Sequence, residues 1–309
     1  MDSDSNHFCS LTTKDQASFF ILDGGMGREI KRRLPEFDPI LWSTLGLYHP
    51  EVVLEIHTDF INAGASVITT NNYAVVPKLL AQSGIVNQFE SLTHLSGQLA
   101  KKAVSNSPYS VKIAGSIPPL STSYRPDLVE VSELSIQTYR QIGRILNDYV
   151  DIFLCESMSS LKEAHMAITA LSSFQKPIWV SFVLDDVVPA TLISQEPISK
   201  IQDAFSDLDY DGILFNCCHP NSVLTALSQL NTTRLKGGYA NFFEKLHSST
   251  THQHGDLRHT DTTITPTSYL DYVTDWIEAG AQIVGGCCGI GPEYIKVISE
   301  YCDANQKRS

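Results

Sequence analysis

The stretch PEVVLEIHTDFINAGASVITTNNY, residues 50–73, carries one full turn of the pattern that decides the fold. Its first half sets Val52, Val53, Ile56 and Phe60 on one face at helical spacing. Its second half, SVITTNNY (66–73), is a short apolar run rich in β-branched residues that ends in polar ones. Runs of this second kind recur at FFILDGG (19–25), VKIAGSI (111–117), DIFLCES (151–157) and PIWVSFVL (177–184). They return at GILFNCC (212–218), RLKGGYAN (234–241) and AQIVGGCC (281–288), which makes eight in all. None alternates strictly between polar and apolar, as expected of strands in a parallel sheet covered on both faces. Helix-period stretches lie between them. Leu134, Tyr139, Ile142 and Ile145 form one apolar face, less regularly; Tyr269, Tyr272, Val273, Trp276 and Ile277 form another, stopped by Gly280. Pro292 suits a first helical position, with Glu293 in the first turn and Ile295, Ile298 and Cys302 following. Eight strand–helix units in 309 residues predict a single-domain α/β fold, the (β/α)8 TIM-type barrel. The barrel is expected over residues 19–303, after a flexible segment at 1–18 and before a short tail at 304–309. The competing open, doubly wound sheet is disfavoured, because no GxGxxG follows any of the runs.

Composition narrows the function. With 42% hydrophobic and 18% charged residues, the chain has ample material for a large core. Lys+Arg 22 against Asp+Glu 34 leaves a formal net charge of −12, which repels phosphate backbones and anionic lipid. The short basic runs Lys31-Arg32-Arg33 and Lys101-Lys102 read as solvated helix faces, so no nucleic-acid partner is expected. The opening MDSDSNHFCS has neither a basic start nor an apolar run, and the longest apolar stretches, such as IWVSFVL (178–184), are strand-length. A soluble cytoplasmic protein without a membrane partner is the expectation. Two segments are irregular. Residues 118–132 carry the turn signals of a long loop, and residues 242–265 hold His247, His252, His254 and His259 without a fixed metal-binding spacing. The latter reads as a surface loop over the barrel mouth.

Active sites of such barrels form at the C-terminal ends of the strands. Here those ends read Asp23-Gly24-Gly25, Thr70-Asn71-Asn72-Tyr73, Gly115-Ser116, Cys155-Glu156-Ser157, Asn216-Cys217-Cys218 and Gly285-Gly286-Cys287-Cys288. Runs six and eight both end in a cysteine pair, and one strand separates them in a closed barrel, so thiols distant in sequence converge. Adjacent cysteines rarely bond to each other, since the ring is strained. A zinc ion held by three thiolates with one open position is a catalytic arrangement; four closed ligands are structural. Cys155, Cys302 and Cys9 suit the plainer reading of ordinary free cysteines, which are often buried.

The segments LDGGMGREI (22–30), PEVVLEIHTDFINAGASVITTNNY (50–73), GILFNCCHP (212–220) and GGCCGIGPEYI (285–295) resemble the homocysteine S-methyltransferase family over nearly the whole chain. The resemblance implies a (β/α)8 barrel, independently of the count above. It implies that Cys217, Cys287 and Cys288 hold Zn²⁺, with Cys218 only a neighbour. The substrates it implies are homocysteine and a sulfonium methyl donor, S-methylmethionine or S-adenosylmethionine, and the product methionine. Asp23, Gly24 and Gly25 match the segment that binds the amino acid part of homocysteine, the glycines offering N–H groups to its carboxylate. Glu156 matches a glutamate that meets the ammonium; its alternative is a carboxylate at the start of the next helix. Thr70 and Asn71 follow the second run and line the same pocket. Trp42 and Tyr73 offer aromatic faces to a sulfonium. The chain departs from the family at GSIPP (115–119) and at Tyr239-Ala240-Asn241, both at the donor's entry. Betaine is the alternative donor. A barrel that stores zinc or senses oxidation without catalysis is the alternative of another class.

Overall fold

The computed structural model describes residues 19–34, 41–241, 243, 247 and 264–306. The segment 1–18 with Cys9, the histidines His252, His254 and His259, and residues 307–309 lie outside the described residues. All eight runs are strands: β1 (Phe20–Ile21), β2 (Val67–Thr69), β3 (Lys112–Ile117), β4 (Ile152–Met158), β5 (Ile178–Phe182), β6 (Gly212–Asn216), β7 (Leu235–Ala240) and β8 (Ile283–Gly286). They pair in parallel in the order β1-β8-β7-β6-β5-β4-β3-β2. A bridge between Leu22 and Val67 joins the two ends of that order, with the Asp23 N–H donating to Val67 O at 3.0 Å. The result is a (β/α)8 barrel.

Residues two apart on a strand face the same side, and this period writes the barrel's interior in layers. Phe20, Leu22, Val67, Ala114, Ile152, Leu154, Trp179, Leu214, Tyr239 and Ile283 cluster inside, where the Trp179 ring lies 5.2 Å from that of Phe20. One step further along the same inward columns the side chains turn polar. Leu154 gives way to Glu156, Ala114 to Ser116, Trp179 to Ser181 and Leu214 to Asn216. Hydrogen bonds tie Ser116 to Glu156 and Ser181 to Asn216, so the apolar plug carries a polar floor on its C-terminal side.

The outer layer consists of α1 (Met26–Arg33), α2 (Pro50–Asn62), α3 (Pro77–Gln82), α4 (Phe89–Ser105), α5 (Glu133–Leu146), α6 (Leu161–Leu171), α7 (Ile201–Ala204), α8 (Pro220–Gln229), α9 (Pro266–Glu278) and α10 (Pro292–Gln306). Val53, Ile56 and Phe60 of α2 are fully buried, as the 50–73 stretch dictates. Each such side chain contributes about 1.5–3 kcal/mol relative to exposure. On α9, Tyr269, Val273 and Trp276 face the core, and Gly280 takes φ +91° just beyond the helix. Leu134 does not join the face of Tyr139, Ile142 and Ile145. It lies in the first turn of α5 and is 72% exposed. Among the described residues, no helix is long and apolar enough to cross a membrane.

Candidate metal centre and substrate pocket

β6 ends at Asn216, and Cys217 then takes φ +54°, which swings its side chain off the strand's alternation. β8 ends at Gly286 and is followed by Cys287 and Cys288. The intervening β7 holds both turns in place: Cys287 N–H donates to Ala240 O at 2.9 Å, and Asn241 N–H to Cys218 O at 3.2 Å. The Sγ atoms of Cys217, Cys287 and Cys288 consequently lie within 4.8 Å of one another. Cys217 and Cys287 approach to 2.7 Å and are free thiols, not a disulfide. Among the described residues, no histidine, aspartate, glutamate or further cysteine joins this group. Cys218, Cys155 and Cys302 are fully buried in the layer between sheet and helices.

The donor set suits a soft dication. The Cys287 contact favours the Cys217 thiolate, yet the Cys288 thiol and burial outweigh it and push Cys217 up to about 12. Cys217, Cys288 and burial likewise hold Cys287 well above the ordinary thiol range. Three crowded thiols resist becoming three anions, and a coordinated dication reverses that, because a coordinating thiol is deprotonated outright. Zn–S bonds of about 2.3 Å in a tetrahedron set sulfurs roughly 3.8 Å apart, so Cys217 and Cys287 need to part by about 1 Å around zinc. Three sulfurs leave the fourth position to the pocket.

Asn216 organises this centre, a role that composition and motif reading did not single out. It is fully buried. Its Oδ1 accepts from the Ser157 N–H at 3.0 Å and from Ser181 Oγ at 2.7 Å. Its Nδ2 donates to Ser157 Oγ at 2.8 Å and reaches Cys287 Sγ at 4.0 Å. One amide thus locks the ends of β4, β5 and β6 together and directs an N–H at a ligand sulfur. The only hint in the sequence is a polar residue at an inward position of a strand otherwise apolar.

Two carboxyl groups share the pocket. Asp23 is buried and accepts from the Thr69 N–H at 2.7 Å and Thr69 Oγ1 at 3.0 Å. Burial pushes it up to about 7 despite those bonds. Glu156 accepts from Ser116 Oγ; burial pushes it up to about 8, with Cys217 and Asp23 adding to the rise. Glu156 does not cap a helix. The cap of α6 is Ser160, and Glu163 receives the Ser159 N–H and hydroxyl at 2.7 Å each. A buried and a half-buried carboxyl on the wall of one pocket suit a cation, which lowers both.

The glycines serve close approach more than anion binding. A Cβ on Gly24 would stand 2.1 Å from Ile290 O, and one on Gly25 2.6 Å from Cys287 O. The Gly25 N–H donates to Ile290 O at 2.9 Å, so it is spent on the turn that carries Cys287 and Cys288. Met26 and Gly27, which open α1, also line the pocket, and α1 has no side-chain cap. First-turn N–H groups have no partner within the helix and favour negative charge.

The pocket, about 1150 Å³ with its open mouth, also gathers Trp42, Ser43, Thr70, Asn71, Tyr73, Tyr124, Tyr239 and Phe243. Trp42 and Phe243 flank the Arg28 guanidinium, 6.0 and 5.0 Å from their ring centres. The Tyr73 hydroxyl contacts Ser123 Oγ at 2.5 Å. Thr70 reaches the pocket, but its hydroxyl holds the wall together, donating to Asn72 Oδ1 at 2.6 Å and accepting from the Ser116 N–H at 2.9 Å. Ser43 Oγ and the Tyr239 hydroxyl are buried and meet no partner at full hydrogen-bond geometry among the described residues. No lysine, arginine or histidine is among the described residues that line the pocket.

Comparison with known proteins agrees with this geometry. The sequence profile of the family described as Homocysteine S-methyltransferase matches residues 20–302. The chain is 26% identical over 309 aligned residues to the Homocysteine S-methyltransferase of Escherichia coli (strain K12), covering 92% of this chain and 95% of that one. It is 27% identical to the Betaine-homocysteine S-methyltransferase of Drosophila melanogaster, covering 94% and 96%. The metallated form of the homocysteine methyltransferase MmuM from Escherichia coli superposes with a TM-score of 0.77 at 24% identity, over 93% of this chain and 98% of that one.

Proposed function

The chain belongs to the homocysteine S-methyltransferase family, a family of methyltransferase enzymes, and from that premise we propose that it transfers a methyl group from a sulfonium donor to homocysteine, forming methionine. One observation carries the reading: three thiols that can hold zinc open onto a pocket whose wall holds two carboxyls, Asp23 and Glu156. The ammonium of homocysteine pairs with Glu156 and Asp23, and its carboxylate meets the first-turn N–H groups of Met26 and Gly27. Its thiol then points to Cys217, Cys287 and Cys288. Bound at those three sulfurs, zinc supplies the positive charge that keeps an entering thiol, ordinarily near pKa ~8.5, as a thiolate at neutral pH.

The chain's own residues do the positioning. Gly24 and Gly25 admit the turn bearing two of the thiols, Asn216 fixes the strand ends beneath them, and the carboxyls orient the acceptor. The thiolate lone pair forms the new S–CH3 bond as the donor's S–CH3 bond breaks, and both sulfur products are neutral thioethers. An anion and a cation annihilate in that step, which a pocket poor in water favours. The donor is read from charge. S-Methylmethionine and S-adenosylmethionine each carry one net positive charge, whereas betaine is neutral overall and brings a carboxylate. A pocket without a lining lysine, arginine or histidine among the described residues offers no cationic side chain to betaine's carboxylate and suits the net cation. Tyr73, Trp42, Tyr124 and Phe243 add aromatic faces worth about 0.5–2 kcal/mol to it.

The test is product formation. Zinc-loaded protein incubated with homocysteine is expected to form methionine with S-methylmethionine or S-adenosylmethionine, and to stop when zinc is chelated. Methionine from betaine alone would replace the sulfonium reading, and methionine from none of the three would refute the activity.

A further inference from the structure

Tyr239 stands on β7 between Asn216 of β6 and Gly285 of β8, and its ring joins the apolar plug of the barrel. Only 4% of it is exposed, yet it lines the pocket. Its hydroxyl lies near Glu156, Ser181, Cys287 and Cys217. It meets no partner at full hydrogen-bond geometry among the described residues, and Ser181 gives it only a weak contact. The neighbouring Ser181 gives its own hydrogen to Asn216 Oδ1 at 2.7 Å. A buried hydroxyl left without a full partner is costly, which argues that something arriving in the pocket completes it.

We infer that Tyr239 is a positioning residue whose hydroxyl donates a hydrogen bond to the sulfur of the bound homocysteine from the floor of the pocket. The inference rests on the acceptor reading above. An ammonium only donates, and would leave the hydroxyl hydrogen unmatched. A thiolate sulfur beside Cys217 and Cys287 is the acceptor that fits. A thiolate has three lone pairs: with one directed at the thiol centre and one held by Tyr239 below, the third points to the pocket mouth, where the methyl donor enters.

The test is Tyr239→Phe, which keeps the ring in the plug and removes only the oxygen. Homocysteine and the product methionine are titrated into zinc-loaded wild type and variant, and the melting temperature of each ligand-free protein is recorded. Homocysteine affinity is expected to fall by about 10-fold or more, as for a bond to a charged acceptor. Methionine, whose thioether sulfur is a weak acceptor, is expected to bind with nearly unchanged affinity, and the ligand-free variant to melt no lower than wild type. Unchanged homocysteine affinity, an equal loss for both ligands, or a lower melting temperature pointing to a bond with Ser181 would each overturn the inference. Failure of the wild type itself to bind homocysteine would instead remove the function on which it rests.

Discussion

Cys287→Ser is expected to leave a folded barrel that retains no zinc on dialysis and forms no measurable methionine. A serine hydroxyl is a poor zinc ligand and keeps its proton at neutral pH, so the variant offers two thiolates where the wild type offers three. Loss of an outer partner of a metal ligand already costs about 10- to 100-fold in affinity or activity, and loss of the ligand itself exceeds that. Cys217→Ser and Cys288→Ser are expected to behave alike, since the three sulfurs form one group. Cys218→Ser and Cys155→Ser are the controls. Both thiols are fully buried between sheet and helices, away from that group, so zinc content and rate are expected to persist. Zinc per protein chain and the initial rate of methionine formation, measured on all five variants, check the pattern.

Glu156→Gln is expected to weaken homocysteine binding by about 10- to 150-fold, corresponding to the roughly 1.5–3 kcal/mol of a charge-assisted hydrogen bond. Zinc content is expected to stay constant and the donor KM to move little, because Glu156 belongs to the acceptor's ammonium. Stability moves the other way. In the folded protein Glu156 stands near 8 instead of its ordinary 4.5, so between those values the folded state binds more protons than the unfolded one. The stability it provides is present below about 4.5 and is lost as pH rises through about 8. The ligand-free Glu156→Gln protein is therefore expected to melt progressively higher than wild type as pH rises across that window. Homocysteine titration at pH 8 and melting curves at pH 5 and pH 8 test both halves. Equal affinity in the two proteins would take Glu156 out of the site.

The contrast between what the sequence made legible and what it did not follows from range. β8 is readable because Ile283 and Val284 sit four residues from a cysteine pair, and short-range periodicity needs no partner. Cys217 and Cys287, 70 residues apart, could be brought together on paper, because barrel closure fixes which strands are neighbours. Gly25 shows the limit. Its role depends on the Ile290 carbonyl beyond β8, and no local pattern reveals that its N–H is already spent. Asn216 and Tyr239 stand in segments quoted from the sequence, but their surroundings do not show there: Asn216 hydrogen-bonds to Ser157 and Ser181 on other strands, and Tyr239 reaches the pocket from β7. Leu134 misled because it sits in the first turn of α5, at the end of the apolar face, where it is exposed.

The central claim is that homocysteine enters with its sulfur as the fourth ligand of a three-cysteine zinc centre. Counting the sulfur neighbours of zinc by X-ray absorption, in wild-type protein before and after homocysteine is added, tests it most directly. Three sulfurs before and four after are the result expected of Cys217, Cys287 and Cys288 with an open position. A count that stays at three in the presence of saturating homocysteine would contradict it.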